Sequence, residues 1–564
     1  MKTPANISPQ VFATALQEFA GVVGKDWVFS SDEDARLYND AYSPLRGQPG
    51  ELTASAAVAP ASAEEVQAVV RIANKHRIPL YAISTGKNLG YGGSAPTQAG
   101  NVVLDLKRMN RIVEVSESGL YAIVEPGVSY FDLYNHITEK GLNLMLDVPD
   151  PGWGSVMGNA LDHGVGHTGT RFRNHFDSHC GMEVVLASGD IMRTGMGALP
   201  NSPAWATFKQ GYGPMVDGLF AQSNFGIVTK MGIWLTPRPE AYMTATILAP
   251  HYDDLHGIVE TLKYAENTGL AGGVPRMGSP LLVKPGSSRD LVKSFYKAWP
   301  PQLPTKEQRE LAAGTKLGFS PELQRYGLDN KIPYWSLNLI FYGPRKVIAA
   351  QWEAVQELAA RNIRNVVFQP EPVIDRADFV KAAQEHRLYP QTVGIPDLEW
   401  FAFGTRANGN PNPFSGHLWY APIIPQSAEA ILEANRVFEE AIRTVPALKD
   451  NKPLMAILRP FAIPASMLER NFLFVLGFPV MEDPAFNKTA IEAFRALIRV
   501  GAERGWSEYR THSIFQDQIM QTMSWNDHAL LRFHETLKDA VDPNGILAPG
   551  HFGIWPKNMR SKTQ

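Results

Sequence analysis

The stretch that most constrains the fold is residues 84–93, STGKNLGYGG, directly behind the apolar run IPLYAI. A strand-like run entering four glycines within ten residues calls for a turn whose backbone takes positive φ or lies bare, because no Cβ covers it. Bare amide N–H groups bind anions such as phosphate, and the lone aromatic, Tyr91, then needs a separate reason to be there. A plain strand-to-helix turn is the alternative that glycines alone leave open. The spacing matches neither GxGxxG nor GxxxxGK followed by Ser or Thr, so the usual dinucleotide fingerprint and the P-loop do not apply.

The surroundings of the loop alternate strands with helices. Ser62 is placed to cap a helix, with Glu65 three residues on and Val66, Val69, Val70 and Ala73 at helical spacing. The runs NVVLDL, YAIVEPG, MEVVLASGD and GIVTKMGIWL read as further strands. A second glycine-rich loop surrounds residues 147–159. After LTPRPE the rhythm changes. SLNLIFYGP, NVVFQP, HLWYAPII, LMAILRPFAI and RNFLFVLGFPV read as strands, separated by helices carrying Ile348, Trp352, Val355 and Ala359, then residues 427–445, then Ile491, Phe494 and Ile498. This predicts one antiparallel sheet covered by helices. The 564 residues exceed one core and suggest roughly three or four domain-sized units. The expected division is a first domain over residues 1–240, a cap over 241–506, and a return to the first domain over 507–564. Residues 405–415, TRANGNPNPFS, read as an exposed loop.

Charge and cysteine content narrow the function classes. Fifty-three basic and 56 acidic side chains are well mixed, for a net charge of −3, which argues against nucleic acid or an anionic membrane as partner. One cysteine, Cys180, excludes an intrachain disulfide, a cysteine-ligated zinc and an iron–sulfur cluster. No signal-peptide pattern and no apolar run of about 18 residues is visible, so a cytoplasmic protein is expected.

Four segments besides the glycine loop carry reactive side chains: LDVPDPGWGSVMGN with Asp147 and Asp150, SGHLWYAPII with His417, SEYRTH with adjacent Tyr509 and Arg510, and AVDPNGILAPGHFGIWP with His551. Each alone has a plain reading. Pro-Asp-Pro-Gly is turn chemistry, a single strand histidine belongs in a core, and a Tyr-Arg pair packs on a surface. His163, His167, His175 and His179 lie at two i,i+4 spacings, but Gly164 and Gly166 spoil the helix such a metal site would need. No metal is expected; the segment reads as a polar pocket or interface.

In combination and in this order, STGKNLGYGGSAP, LDVPDPGWGSVMGN, MRTGMGALP, DGLFAQSNFGIVTKMGIWL, SEYRTH and AVDPNGILAPG resemble the flavoprotein family of vanillyl-alcohol oxidase, eugenol oxidase and 4-cresol dehydrogenase. The similarity runs from about residue 55 to about residue 556. It implies an α+β fold, with an FAD-binding domain of the vanillyl-alcohol oxidase type and a cap built on an antiparallel sheet. The implied activity is oxidation of para-substituted phenols at the side-chain carbon next to the ring, by hydride transfer to FAD through a quinone methide. Oxygen is the implied acceptor, reduced to hydrogen peroxide. A dehydrogenase passing electrons to a cytochrome and a flavin-binding protein without turnover are the alternatives. A homodimer or larger homo-oligomer is expected on the same ground.

Carried over by position, Tyr91, Tyr509 and Arg510 resemble the family's phenolate-binding trio, and Asp150 the carboxylate beside the flavin's reactive nitrogen. His417 falls where the oxidases bond a histidine to the flavin's 8α-methyl. Ser84, Thr85, Gly86, Lys87, Asn88, Gly90 and Gly92 would cradle the pyrophosphate, with Ser155, Asn159, Gly226, Ile227 and His551 also along the cofactor. Departures concentrate on the substrate pocket. His167 stands where a tyrosine is expected, Ala421 where a serine is, and His551 where a lysine is. The cap lacks the paired histidines, and the loop before His417 is longer.

Overall fold

The computed structural model describes residues 3–168, 173–282, 305–314, 320–398, 416–449, 451, 465–468 and 470–560. The helix Ala63–His76 starts where the sequence places it. The Ser62 hydroxyl accepts the Glu65 amide at 3.2 Å, and Arg77 closes the helix in the left-handed conformation. Val66, Val69, Val70 and Ala73 are all 0% exposed. They form one core with Phe12 and Phe19 of the helix Pro9–Val23 and with a four-stranded sheet. Burying each valine contributes about 1.5–3 kcal/mol, so a charge at Val69 would break this layer.

That sheet runs in the order Val28–Phe29, Ala56–Val58, Val102–Asp105, Leu80–Ile83, and its last three strands are parallel. The strand Leu80–Ile83 therefore delivers the chain to the glycine loop at its carboxyl end, the end at which open α/β sheets bind ligands. Its neighbour on the far side is the C-terminal segment. The Leu80 amide donates to the Ile546 carbonyl, and the Ala548 amide to the Leu80 carbonyl, both at 2.7 Å. Lys538, 0% exposed, fixes that segment by donating to the carbonyls of Leu547 (2.6 Å) and Asn224 (2.7 Å) while pairing with Asp542 at 2.8 Å. A second, antiparallel sheet of five strands has Gly226–Trp234 at its centre, between Tyr121–Val124 and His179–Leu186.

The strands beyond residue 240 are antiparallel but not one sheet. Among the described residues they form three hydrogen-bonded pieces. Trp335–Gly343 and Ala241–Ala249 lead the largest, Gly416–Tyr420 pairs with Leu476–Val480, and Ile423–Pro425 joins Asn471–Leu473 and Ala465–Leu468. The single strand expected over HLWYAPII is thus two, because Pro422 has no N–H to continue the ladder. RNFLFVLGFPV divides correspondingly into two partners. The helices Leu255–Asn267, Arg345–Asn362, Ala428–Arg443 and Pro484–Glu503 contribute to one hydrophobic core with these strands. Ile348, Trp352, Val355 and Ala359 face it. The expected strand at residues 454–463 and the loop at 405–415 lie outside the described residues. Among the described residues, no helix is long and apolar enough to cross a membrane.

Candidate active site

Residues 86, 90, 92 and 93 hold φ between 57° and 113°, which folds the glycine loop back against two other segments. A Cβ on Gly90 would lie 2.6 Å from Trp419 Cδ1 and 3.1 Å from His417 Cδ2, and one on Gly92 would lie 2.8 Å from Ser513 Oγ. Glycine is required there for room as much as for conformation. Beside the loop is a cavity of about 220 Å³. Ser84, Thr85, Gly86, Lys87 and Asn88 line it, as do Ser155 and Asn159 of the second glycine-rich loop, Gly226 and Ile227 of the central strand, and His551. Ser155 caps the short helix Val156–Leu161 by accepting the Gly158 amide at 2.9 Å. Gly90 and Gly92 do not line the cavity; they make the close contacts with His417 and Ser513.

Arg510 also lines the cavity. Its guanidinium carbon lies 4.1 Å from the centre of the Tyr91 ring and 5.3 Å from that of Tyr509. Its Nη1 is 3.5 Å from Asp162 Oδ2, an oxygen that accepts Asn88 Nδ2 at 2.9 Å. Burial raises the Tyr91 phenol well above its ordinary value, with Arg510 pulling the other way. Burial likewise raises Asp162, again opposed by Arg510. For Arg510 itself burial works against the charge, but the two phenols and Asp162 outweigh it and its pKa rises. The result is a permanent cation flanked by two hydroxyl-bearing rings.

Glu508 ties this pair to the strand that holds His417. Its Oε1 accepts the Ala421 amide at 2.8 Å, and Gln222 Nε2 donates to the Tyr509 carbonyl at 2.9 Å. Burial pushes the Glu508 carboxyl up to about 8, against the pull of Thr511 and the Ala421 amide. Ala421 is 0% exposed, and its hydrogen bond to Glu508 is made by the backbone, so any side chain there would have little room. His417 packs its ring 4.4 Å from Trp419 and 5.0 Å from Tyr42. Burial lowers its pKa to about 4, with Asp40 opposing, so the imidazole is neutral near pH 7. Its Nδ1 is buried without a hydrogen-bond partner among the described residues.

Asp150 belongs to a second cluster. One oxygen is 2.9 Å from His167 Nε2, and the other accepts Gln391 Nε2 at 2.6 Å. The Tyr389 hydroxyl donates to both, at 3.2 and 3.4 Å. The guanidinium of Arg276 lies 4.5 Å over the Tyr389 ring. The other histidines of the cluster separate: His175 pairs with Asp147 at 3.2 Å, His179 reaches Asp217 at 3.5 Å, and His163 packs on Phe176. Asp162, Glu508, Tyr389, Gln391 and Arg276 carry no sequence signal of their own. Glu508 alone had a pointer, its place beside Tyr509 and Arg510.

The residues present suit a flavin dinucleotide. A glycine backbone cradle opens on a cavity of polar and apolar lining, and a neutral imidazole with an unpaired nitrogen stands behind the loop. Comparison with known proteins agrees. A family profile described as an FAD binding domain matches residues 54–195. The chain is 31% identical over 557 residues to the 4-cresol dehydrogenase (hydroxylating) flavoprotein subunit of Pseudomonas putida, covering 98% of this chain and 97% of that one. It is 42% identical over 576 residues to 1'-carboxy-chondrochloren decarboxylase of Chondromyces crocatus, covering 98% and 99%. Among solved structures, 4-ethylphenol oxidase from Gulosibacter chungangensis, in its isoeugenol complex, superposes with a TM-score of 0.79 at 34% identity, covering 99% of this chain and all 100% of that one. Substrate-bound p-cresol methylhydroxylase gives 0.78 at 29%, covering 98% and 99%.

Fold, cavity and relatives together define an FAD-dependent oxidoreductase of α+β architecture. The chain belongs to the vanillyl-alcohol oxidase and p-cresol methylhydroxylase family of flavoproteins.

Proposed function

We propose that this protein oxidises para-substituted phenols at the carbon next to the ring, through a quinone methide, with oxygen as electron acceptor and hydrogen peroxide as product. The observation that carries this reading is Arg510 at the cavity wall, 4.1 and 5.3 Å from the rings of Tyr91 and Tyr509. FAD, when bound, supplies the acceptor for a hydride from that carbon. The residues supply the anion that makes the carbon a hydride donor. A phenol near pKa 10 must fall by about 3 units to ionise near pH 7, which costs about 4 kcal/mol. A guanidinium about 4 Å away supplies about 4 kcal/mol at an effective dielectric near 20. Hydrogen bonds from Tyr91 and Tyr509 add about 1.5–3 kcal/mol each, offsetting desolvation. Because Tyr91 titrates well above an ordinary phenol, its proton stays on Tyr91 to be donated.

Asp150, held by Gln391, Tyr389 and His167, is assigned the proton of a water or alcohol at the oxidised carbon. His417 is assigned the covalent bond to the flavin's 8α-methyl. Its neutral, unpaired Nδ1 supports that role. A homo-oligomer belongs to the same reading.

The relatives' names divide on the acceptor, one an oxidase and one a dehydrogenase, so a dehydrogenase passing electrons to a protein or dye is the second reading. A third relative is named a decarboxylase of a carboxylated compound, which makes loss of CO2 a further ending for the same oxidation. Anaerobic titration with 4-ethylphenol and vanillyl alcohol, followed by admission of air, tests the proposal. Bleached flavin that recolours with one peroxide per turnover supports it. Recolouring only by a dye favours the dehydrogenase. Flavin that no 4-alkylphenol bleaches refutes both and leaves a flavin-binding protein without turnover.

A further inference from the structure

We infer that the substrate this site is built for is a 4-hydroxyphenyl compound carrying a carboxylate one carbon beyond the benzylic position, and that Arg276 holds that carboxylate. The inference rests on the phenol reading above and specifies its substrate class.

Arg276 lies on the strand Gly272–Gly278, part-buried, with its guanidinium over the Tyr389 ring at 4.5 Å. Three other arginines that line buried or half-buried sites pair with carboxylates: Arg173 with Glu266 at 2.5 Å, Arg193 with Glu183 at 2.8 Å, and Arg510 with Asp162 at 3.5 Å. The Arg276 side chain forms no ion pair or hydrogen bond among the described residues; its guanidinium rests on the face of the ring. A guanidinium stacked on an aromatic face keeps its N–H fork in the plane, free for bidentate grip on a carboxylate. The nearby anion does not need it. Asp150 is already satisfied by His167, Gln391 and the Tyr389 hydroxyl, and no Arg276–Asp150 pair forms. An unspent cation thus stands one aromatic ring away from the carboxylate assigned to the reacting carbon. Arg510, at the other cluster, is assigned the phenolate oxygen. Two cations serving two separate anionic ends describe a dianionic ligand.

The chemistry closes without another reagent. Loss of a hydride from the benzylic carbon of the phenolate leaves a quinone methide, and the two electrons pass with the hydride to the flavin. The bond between the neighbouring carbon and the carboxylate then breaks. CO2 leaves, the bonding pair becomes the C=C of a vinyl group, and the exocyclic pair of the quinone methide returns through the ring to the oxygen as phenolate. For 3-(4-hydroxyphenyl)propanoate the products are 4-vinylphenol and CO2. A bidentate hold by Arg276 restricts rotation about the bond that breaks.

The test uses full-length, flavin-loaded protein with two probe pairs. One pair is 3-(4-hydroxyphenyl)propanoate against 4-propylphenol, followed by flavin bleaching, KM and CO2 release. The other is 4-hydroxycinnamate against 4-propenylphenol, followed by the shift of the flavin spectrum on binding. Wild type should favour the carboxylate of each pair at least about tenfold and release one CO2 per flavin reduced. Arg276→Gln should weaken the carboxylates about ten- to a hundredfold more than the neutral phenols, and Arg276→Lys should restore part of the difference. Equal losses on both members of a pair would make Arg276 a structural support for Tyr389 and overturn the assignment. Bleaching by 4-propylphenol with no preference for the propanoate overturns this inference while the phenol reading stands. Bleaching by neither overturns both.

Discussion

Removing the cation at the phenolate end is the sharpest perturbation of this site. In Arg510→Ala, a guanidinium 4.1 Å from the Tyr91 ring and 5.3 Å from the Tyr509 ring is replaced by a methyl group. The interaction lost is about 332/(20 × 4), or about 4 kcal/mol, equivalent to about 3 pKa units on a bound phenol. Near pH 7 the ionised fraction, and with it the rate of flavin reduction, should fall about a thousandfold. Since the deficit is one of ionisation, the rate should climb about tenfold per pH unit towards about pH 10, where the phenol ionises unaided. Stopped-flow bleaching of the flavin by saturating 4-ethylphenol without oxygen reads this directly. Arg510→Lys should lie between the two, because it keeps the charge and loses the planar fork. Asp162 also loses its ion-pair partner, so Arg510→Ala with Asp162→Asn controls for a stranded buried carboxylate. An unchanged rate near pH 7 would refute the electrostatic argument. So would a loss that high pH does not recover.

Other consequences are as easily checked. Denatured wild-type protein should keep flavin bound through His417, and His417→Ala should release it all to the supernatant; flavin freed from denatured wild type removes the covalent assignment. Burial pushes the Glu508 carboxyl up to about 8 in the folded protein against an ordinary 4.5, so the unfolded chain loses this proton first and stability falls as pH rises between those values. Glu508→Gln should therefore gain stability over wild type across that window, with a ceiling of about 5 kcal/mol; parallel melting curves from about pH 5 to about pH 8 would contradict it. Asp150→Ala removes the acceptor of three side-chain bonds, and should slow product formation about a hundredfold or more. Turnover at the wild-type rate would return Asp150 to a turn residue.

What the sequence revealed depended on the range of the forces involved. The helix Ala63–His76 is written in a cap and a local period, and both operate within a few residues. The glycine loop was legible because bare backbone is itself a local property. The division of HLWYAPII at Pro422 was also written locally, but the apolar content hid a missing donor. Asp150 and Tyr389 are 239 positions apart, and nothing near either announces the other. Arg276 reads as an ordinary charged residue in a strand until the fold sets it on a ring. Glu508 is a surface-type residue until the fold brings its carboxyl to the Ala421 amide. Such groups take their character from neighbours that only the tertiary fold supplies.

The strand that feeds the glycine loop is flanked by residues 546–548, and the guanidinium at the cavity wall is residue 510. Both sides of the cofactor's cradle are therefore incomplete while a nascent chain is still being made. A ribosome-bound chain stopped short of residue 546 should therefore load flavin poorly: it has the glycine loop and the strand that carries His417 but lacks the edge that steadies the loop. The yellow colour of this protein would then report that residues 546–548 are in place, and chains truncated before them should stay colourless.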